Sequence, residues 1–481
     1  MSDTFYWHDY ETFGSNPSQD RPSQFAGVRT DADLNIIGEP LVIYCKPAAD
    51  YLPHPQACLV TGITPQKALE EGVPESEFIA AIHAELSVPG TCAVGYNSIR
   101  FDDEVTRHTL YRNFYDPYAR EWQNGNSRWD IIDMVRTAYA LRPEGIEWPL
   151  REDGMPSFRL EDLTRANGIA HESAHDALSD VHATIAMAKL IMDRQPKLYD
   201  YVLNNRKKQA VLEQLDVAGM KPVLHVSGMF GASHNNIALV VPLAKHPENQ
   251  NEIICYDLAA DPQPLFDLPA ERIQSLLYTR AVDMPEGQQR PGLKSVHINK
   301  CPVLVTPKMA DRATAERLGI QGDVCRSHLK ALRDYRGKDA AAFTAKIQAV
   351  AQRHFEPHSD PDLMLYSGGF FSASDKKVMD AVRDASPAKL AEDSFVFEDS
   401  RLPEMLFRYR ARNYPDSLSE EEQAQWAEYR FQRITEPLAD TSYCMEEFQV
   451  DIETLLDDQS LPPAKRSVLE QLLEYADTLL A

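Results

Sequence analysis

Two acidic residues, Asp9 and Glu11, lie at alternate positions in an aromatic segment, residues 5–13. Side chains two positions apart on a strand point to the same face, so the two carboxylates are predicted to project together. Like charges held close together repel each other, and burying them without compensation is costly. A divalent cation such as Mg²⁺ or Mn²⁺ removes both penalties, because these ions prefer carboxylate oxygens. The alternative is an exposed face of an edge strand, which needs no ion.

A third acid, Asp102, follows an apolar strand and a turn and is predicted at the start of a helix. An acid at this position can cap the helix or interact with its dipole, which is the simpler interpretation and the one we favour for Asp103 and Glu104. Asp102 directly follows Phe101 at the strand-to-helix junction. From that junction its side chain can reach back over the sheet, towards the first two acids.

His175 and Asp180 are five residues apart where a predicted amphipathic helix, residues 176–193, begins. Histidines near helix starts are usually surface or capping residues, and we interpret the nearby His171 and His182 in that way. A neutral histidine has an ordinary pKa of about 6.5 and can accept a proton from water at physiological pH. Four acids on one strand and two helices, with such a histidine, are what phosphodiester hydrolysis by two metal ions requires.

The elements that would position these residues alternate between strand and helix, which predicts a mixed α/β domain over residues 1–195. The predicted strands cover residues 4–13, 23–30, 35–46 and 91–95, and the predicted helices cover residues 76–87, 101–113, 129–141, 159–167 and 176–193. A polar helical connector follows at residues 196–220.

The rest of the chain divides into a β-rich part and a helical part. Short apolar runs bounded by turn residues predict strands at residues 223–226, 237–241, 253–256 and 296–298, and helix returns at 309–350. Residues 351–481 are helical in pattern, most clearly at 420–433 and 467–480. The sequence therefore predicts a multidomain α/β protein with domains at 1–195, 196–350 and 351–481.

Taken alone, the net charge of −24 disfavours nucleic acid as a partner, but the charge is unevenly distributed. Residues 1–195 and 351–481 each carry −14, whereas residues 196–350 carry +4. A polyanion can therefore bind a positively lined surface near the middle segment.

Composition and cysteine content indicate a globular cytoplasmic protein. Hydrophobic residues make up 43% of the 481 residues, and no apolar run approaches the length of a membrane span. The N-terminus carries no basic and apolar signal region. The seven cysteines are scattered and form no C-x-x-C pair, which favours reduced thiols over a zinc site or a disulfide framework.

Cations and aromatic residues are interleaved over 16 residues after the third acid, a pattern typical of surfaces that hold an unpaired strand by stacking and by phosphate contacts. The run comprises Arg107, Tyr111, Arg112, Tyr115, Tyr118 and Trp122. Some of these rings are expected to pack inside instead, since aromatic residues are frequently buried. Further cations that could reach phosphates are Arg136, Arg142, Lys207, Lys208, Lys221, His297 and Lys300.

The order Asp9-x-Glu11, Asp102 and His175-x-x-x-x-Asp180 is similar to that of the DEDDh exonucleases, which have a ribonuclease H-like fold. The position four before Asp180 is Asp176, which disfavours the subtype of that superfamily that carries tyrosine there. Segments along the whole chain resemble the bacterial exonuclease I family, namely residues 8–14, 95–97, 100–107, 157–161, 225–231, 297–303 and 409–413.

This resemblance implies a processive 3′→5′ exonuclease that degrades single-stranded DNA to 5′-mononucleotides and serves DNA repair and recombination. It implies a nuclease domain, an SH3-like domain and a helical domain around a groove. By the same matching, Asp9, Glu11, Asp102 and Asp180 would hold two Mg²⁺ ions, with Mn²⁺ as a substitute, and His175 would be the general base. It also implies that Arg159 contacts the substrate near the 3′ end. Together with the pattern of cations and aromatic residues, the predicted substrate contacts are Glu11, Arg159, Arg107, Tyr118, Trp122, Arg136, Lys208, Lys221, His297 and Lys300.

The resemblance also implies docking of the C-terminal tail of the single-stranded DNA-binding protein, for which Arg142, Tyr201 and Lys221 are candidates. A monomer is expected. Two alternatives stay open at this point. A related nuclease could act on RNA, because a single side chain can gate the 2′-hydroxyl. A catalytically silent clamp could bind single strands, although a clamp does not need clustered carboxylates.

Overall fold

The computed structural model describes residues 4–171, 175–353, 356–392, 394–438 and 443–480. The elements of the first 170 residues are β1 (Thr4–Thr12), β2 (Pro22–Thr30), β3 (Leu41–Tyr44), α1 (Pro55–Thr61), α2 (Pro65–Glu71), α3 (Glu75–Leu86), β4 (Thr91–Gly95), α4 (Asp102–Arg112), β5 (Ser127–Asp130), α5 (Ile131–Leu141) and α6 (Leu160–Ala166).

The middle of the chain continues with α7 (Ala177–Arg194), α8 (Pro196–Asn204), α9 (Lys208–Gln214), β6 (Val223–Val226), β7 (Ile237–Lys245), β8 (Glu252–Asp257), α10 (Gln263–Asp267), α11 (Ala270–Tyr278), β9 (Leu293–His297), β10 (Val303–Val305), α12 (Arg312–Arg317), α13 (Gly322–Lys338) and α14 (Ala340–Ala351). The last part is helical, with α15 (Ala373–Arg383), α16 (Pro387–Leu390), α17 (Leu402–Asn413), α18 (Glu420–Thr435), α19 (Met445–Leu456) and α20 (Pro463–Leu480).

Most of these elements agree with the predicted ones, but β3 is confined to Leu41–Tyr44 within the predicted 35–46, and helices α10 and α11 were not predicted. The helix predicted from residue 129 begins at Ile131, because residues Ser127–Asp130 form β5. The Asp130 side chain accepts a hydrogen bond from the Ile132 N–H (3.1 Å) and so caps α5. The short helices α1 and α2 and the strand β10 were not predicted.

The chain divides into two compact units that are not continuous in sequence. Unit 1 comprises Met1–Ser127, His171–Ile185 and Glu356–Ala481. Unit 2 comprises Arg128–Ala170 and Ala186–Phe355. The acidic residues singled out by the sequence all belong to unit 1. None of the described helices is long and apolar enough to span a membrane.

In unit 1, β1 lies between β2, with which it is antiparallel, and β4, with which it is parallel. One face of β1 presents Tyr6 and Tyr10, which pack in a core with Phe25 of β2 and Phe78 of α3. Because side chains alternate along a strand, Asp9 and Glu11 lie on the opposite face. The edge-strand alternative for this segment is therefore wrong.

The C-terminal helices also belong to unit 1, where they form two cores with the N-terminal part of the chain. Helices α19 and α20 pack on α1 through Phe448, Leu472 and Cys58. Helix α17 contributes Tyr409 and Leu402 to a core with Phe114, just beyond α4.

Unit 2 contains a five-stranded sheet in the order β10-β6-β7-β8-β9, in which every neighbouring pair is antiparallel. Helices α11, α13 and α14 form one core with this sheet, through residues such as Ile273, Leu332 and Phe343. A second core contains Val211 of α9 and Leu304 of β10. This arrangement has the β-rich character predicted for the middle of the chain.

Candidate active site

The first two acids come from the central strand of the unit 1 sheet. Asp9 is half-buried and Glu11 is 8% exposed. In the β1–β2 ladder they lie opposite Ala26 and Gln24. Their position on a central strand fixes the backbone on both sides, so the two carboxylates project from a rigid floor.

Asp102 is buried at the first position of α4, next to the same strand. Its Oδ1 accepts a hydrogen bond from the Tyr10 N–H (3.0 Å), between the two acids of β1. Thr106 supports the turn, because its hydroxyl donates to the Asp102 carbonyl oxygen (2.8 Å). Asp102 therefore reaches back over the sheet, as predicted, and is not simply a helix cap.

Asp180 lies in the first turn of α7, and its carboxylate comes close to that of Glu11. Ligand atoms of Glu11, His175 and Asp180 all lie within 4.8 Å of one another, a spacing that could hold a metal ion. The His175 side chain is exposed, and its backbone has a left-handed conformation (φ 66°) that is uncommon for residues other than glycine.

The charges that act on Asp9 and Glu11 differ from those that act on Asp180, whose pKa is raised by burial but lowered in part by His171 and His175. Burial raises the pKa of Asp9 well above its ordinary value, and the carboxylates of Asp102, Glu11, Asp180 and Asp176 raise it further. Burial likewise raises the pKa of Glu11 from 4.5 to about 8, with further increases from Asp180 and Asp102. Each neighbouring charge that shifts these two groups is itself a carboxylate.

Oxygen ligands that carry excess negative charge are the donor set that hard divalent cations prefer. The four carboxylates, with the raised pKa values of Asp9, Glu11 and Asp180, therefore fit a divalent metal centre. Metal binding would compete with the protons that the raised pKa values retain.

His171 departs from the prediction. Its Nε2 lies 2.5 Å from Asp180 Oδ1, and its side chain is only 4% exposed. The interpretation of His171 as a surface or capping residue is therefore wrong, whereas His182 on α7 is exposed, as expected. Sequence reasoning missed His171 because nine residues separate it from Asp180, and a histidine at that distance carries no spacing rule of its own.

The predicted strand contacts in unit 1 have different environments. Trp122 is 65% exposed and Tyr118 is half-buried. Arg107 is 4% exposed, and its guanidinium is paired with Glu121 (2.7 Å) and Glu104 (2.8 Å). Its planar group also lies over the Tyr118 ring, 5.4 Å from the centroid. Arg107 thus supports Tyr118 from inside, which differs from the free phosphate contact that the sequence suggests.

An exposed aromatic residue that the sequence reasoning did not single out lies beside this group. Phe370 is 86% exposed, and its ring centroid lies 6.1 Å from that of Tyr118. The adjacent Gly368-Gly369 turn was the available signal, because a turn with a positive φ at Gly369 can project the next side chain outward.

The other predicted strand contacts belong to unit 2. Arg159, Lys208, Lys221 and Lys300 are exposed there, and His297 is half-buried at the end of β9. His297 Nδ1 lies 3.9 Å from Glu252. Arg136 is paired with Asp133 on α5 (2.7 Å).

The candidates for a protein partner also lie in unit 2. The Tyr201 hydroxyl lies 3.1 Å from Gln214 Oε1 and 3.2 Å from the Leu304 carbonyl oxygen. Tyr201 also lines a small depression together with Trp129, Val202, Asn205, Arg206, Cys301, Pro302, Val303 and Leu304. Arg142 donates to the Met309 carbonyl oxygen (3.1 Å).

Comparison with known proteins assigns the family. Three family models match the chain: Exonuclease at residues 6–188, Exonuclease I SH3-like domain at 206–353, and Exonuclease I C-terminal domain at 359–479. The exodeoxyribonuclease I of Escherichia coli K12 is 49% identical over 99% of this chain and 98% of its own. The chain belongs to the exonuclease I family.

Solved structures of the family agree with this assignment. E. coli exonuclease I in complex with a dA16 oligonucleotide is 48% identical, with a TM-score of 0.93, and the match covers 99% of this chain and 100% of that one. A structure of SSB and exonuclease I in complex with the inhibitor CFAM has 46% identity and a TM-score of 0.90, with full coverage of both chains. Membership in the exonuclease I family confirms the predicted resemblance, the three predicted fold classes and the predicted exodeoxyribonuclease activity, and it indicates a dependence on divalent metal.

Proposed function

We propose that this chain hydrolyses single-stranded DNA from its 3′ end, processively and to 5′-mononucleotides, with two Mg²⁺ ions held by Asp9, Glu11, Asp102 and Asp180. The observation that carries the proposal is the raised pKa of Asp9 and Glu11 beside two further acids, without a protein cation among the charges that shift them. Mn²⁺ is expected to substitute for Mg²⁺, because both accept carboxylate oxygens.

In the proposed reaction, different residues of the chain bind the metal ions, accept a proton and orient the metal ligands. When bound, two divalent cations would clamp the scissile phosphate and lower the pKa of the attacking water. We propose that the His175 side chain, which is exposed, accepts the proton of that water as general base. Asp102 and Asp180 are held by hydrogen bonds from the Tyr10 and His175 N–H groups, which keep both carboxylates oriented before substrate arrives.

Binding of the strand is proposed to use stacking in unit 1 and phosphate contacts in unit 2. Exposed Trp122 and Phe370, with Tyr118 between α4 and β5, offer rings to unpaired bases. Glu11 is a proposed substrate contact in unit 1, and Arg159 is the contact proposed near the 3′ end in unit 2. The remaining proposed contacts of unit 2 are Arg136, Lys208, Lys221, His297 and Lys300. Arg107 is retained as a supporting residue of Tyr118.

The partner and setting are proposed on the same grounds. The family structure that contains SSB supports docking of a single-stranded DNA-binding protein tail, for which Arg142, Tyr201 and Lys221 stay the candidates. All seven cysteines are free thiols and six are buried, which supports a reducing compartment such as the cytoplasm. The three family models support domains at 1–195, 196–350 and 351–481. The monomeric state and the role in DNA repair stay predictions.

The experiment that tests the proposal follows a 5′-labelled DNA oligonucleotide and the released nucleotides together. With Mg²⁺, we expect a ladder that shortens from the 3′ end and 5′-mononucleotides as the product, and neither with a chelator. Duplex DNA, an RNA oligomer of the same sequence and the Asp9→Asn variant are the matched controls. Equal degradation of RNA would favour the RNA nuclease, and binding without any release would favour the clamp.

A further inference from the structure

Two histidines that precede α7, His171 and His175, each form a hydrogen bond with Asp180. His171 Nε2 lies 2.5 Å from its Oδ1, and the His175 N–H donates to its Oδ2 (3.1 Å). The His171 side chain is 4% exposed and that of Asp180 is 17% exposed, so water competes little for these bonds. The Asp180 carboxylate therefore accepts hydrogen bonds from two histidines that are four positions apart in the sequence.

These bonds leave Asp180 able to bind metal. A carboxylate has two oxygens and about four lone-pair sites, and the two bonds use one site on each oxygen. The remaining sites can face Glu11, whose carboxylate lies within 4.8 Å of the Asp180 and His175 ligand atoms. The bond to His171 thus restricts rotation of the carboxylate without blocking the metal side.

The same bonds also affect His175, the proposed general base. His175 has a left-handed backbone (φ 66°), which is unfavourable for a residue with a side chain. The bond from its N–H to Asp180 stabilises that conformation, and the conformation determines where the imidazole points. If the Asp180 carboxylate rotates, this bond is lost together with the metal geometry.

We propose that His171 is a positioning residue: its ring N–H orients the Asp180 carboxylate for metal binding and, through Asp180, fixes the turn that presents His175. This inference rests on the proposed function, in which Asp180 is a metal ligand. Hydrogen-bond partners of metal-binding groups typically contribute 10–100-fold to metal affinity or activity.

Two substitutions separate the hydrogen bond from simple packing. His171→Phe keeps a flat buried ring but removes the donor, whereas His171→Gln keeps an N–H that can reach the carboxylate. His182→Ala is the matched control, because His182 is exposed two residues after Asp180 on the same helix. Asp180→Asn removes the ligand itself and serves as the reference for a lost metal site.

The measurement is a Mn²⁺ titration of each folded variant, read by the electron paramagnetic resonance signal of free Mn²⁺, with the Mn²⁺ dependence of DNA hydrolysis beside it. We expect His171→Phe to weaken Mn²⁺ binding by about 10–100-fold and to raise the Mn²⁺ concentration needed for half-maximal rate by a similar factor. His171→Gln should recover most of the loss, and His182→Ala should match the wild type.

The outcomes distinguish the two levels of the account. Wild-type or tighter Mn²⁺ binding in His171→Phe, or an equal loss in His171→Gln and His171→Phe, would overturn the positioning role, because the donor would then be irrelevant. Circular dichroism establishes that each variant is folded, and if His171→Phe does not fold, the Gln variant decides alone by matching the wild type or not. Retained Mn²⁺ binding and turnover in Asp180→Asn would instead overturn the proposed function.

Discussion

Unit 1 contains two buried groups of charged residues that differ in one respect. The catalytic cluster consists of Asp9, Glu11, Asp102 and Asp180. The second group, which we name the arginine network, consists of Arg21, Asp50, Glu75, Arg112, Asp360, Asp362, Arg408, Arg412 and Arg433. Both groups contain carboxylates with restricted access to water, but the arginine network pairs its acids with arginines, whereas the charges that shift the pKa values of Asp9 and Glu11 are further carboxylates.

The two groups therefore have pKa values shifted in opposite directions. Burial raises the pKa of Asp50, but Arg412, at 2.7 Å, and Arg21 outweigh it and hold the value well below the ordinary one. In the catalytic cluster burial and neighbouring carboxylates act together, so the pKa of Asp9 rises. Burial by itself therefore does not decide the charge of an acid, because the charge of its partner can outweigh it. The arginine network contains its own cations, whereas we propose that the catalytic cluster takes its cations from solution.

Removing one acid should affect the two groups in opposite ways. Asp9→Asn should lower the rate of DNA hydrolysis by about a thousandfold or more, because a metal contributes several kcal/mol to the transition state. The same change should raise the thermal stability of the chelated protein, since it removes repulsion, and should leave strand binding largely intact. Rates, melting temperatures and oligonucleotide binding measure the three effects. Retained turnover would defeat the metal assignment.

His175→Ala sharpens the comparison by separating proton transfer from metal binding. If His175 is the general base, the rate should fall by roughly 10²–10⁴ at saturating Mg²⁺. Mn²⁺ affinity should change little, since the carboxylates remain. A rate loss below about tenfold would move the role of base to another group, and a matching loss of Mn²⁺ affinity would make His175 a ligand.

Disrupting the arginine network should lower the stability of the fold without directly affecting the hydrolysis step. Arg412→Leu leaves Asp50 and Asp362 buried without their shared partner, for which a loss of about 3–5 kcal/mol in the free energy of unfolding is expected. Arg326→Leu is the control, because it removes an exposed pair with Asp323 and should cost less than about 1 kcal/mol. Urea unfolding measures both. Equal stability of the two variants would contradict the proposal that the buried arginines stabilise the fold more than an exposed ion pair does.

The pH dependence of stability should show both groups in one experiment. Burial raises the pKa of Glu75, but Arg112 and Arg21 outweigh it and lower the value from 4.5 to about 2. Because the folded value is the lower one, this stabilisation is present above pH 4.5 and is lost as the pH falls towards 2. The contribution of Glu11 to stability changes with pH in the opposite direction, because its pKa in the folded protein is raised to about 8. This contribution is present below pH 4.5 and is lost as the pH rises to 8.

Protein kept free of metal by a chelator should therefore lose stability both below and above pH 4.5. Below pH 4.5 the loss from Glu75 alone should be on the order of 3 kcal/mol. Excess Mg²⁺ should remove only the loss between pH 4.5 and 8, because metal binding replaces the proton on Glu11. Unfolding curves across the pH range, with and without Mg²⁺, provide the measurement. An alkaline loss that Mg²⁺ does not change would contradict the assignment of Glu11 as a ligand.

The parts of this site that could be predicted from the sequence are those set by local rules. Alternation along a strand places Asp9 and Glu11 on one face, and the strand-to-helix junction places Asp102 beside them. The five-residue spacing of His175 and Asp180 identifies the start of α7. Each of these signals lies within a few neighbouring residues.

The rest depends on contacts between residues that are far apart. Asp50 and Arg412 are separated by 362 residues, so the likeness at residues 409–413 did not reveal a structural role for the arginine. The sequence does not reveal the role of His171, because that role depends on its contact with Asp180. It likewise suggests a surface cation for Arg107, whereas Arg107 is buried and paired with Glu104 and Glu121. Burial of a polar side chain is decided by its tertiary partners, which short sequence patterns do not contain.

The most direct test of the account locates cations in the catalytic cluster. Crystals soaked in Mn²⁺ should give two anomalous-scattering peaks about 3.5–4 Å apart, bordered by the carboxylates of Asp9, Glu11, Asp102 and Asp180. In Asp9→Asn crystals at least one of the two peaks should disappear. The absence of both peaks from the wild-type cluster at a Mn²⁺ concentration that supports full activity, or peaks held by other residues, would contradict the account.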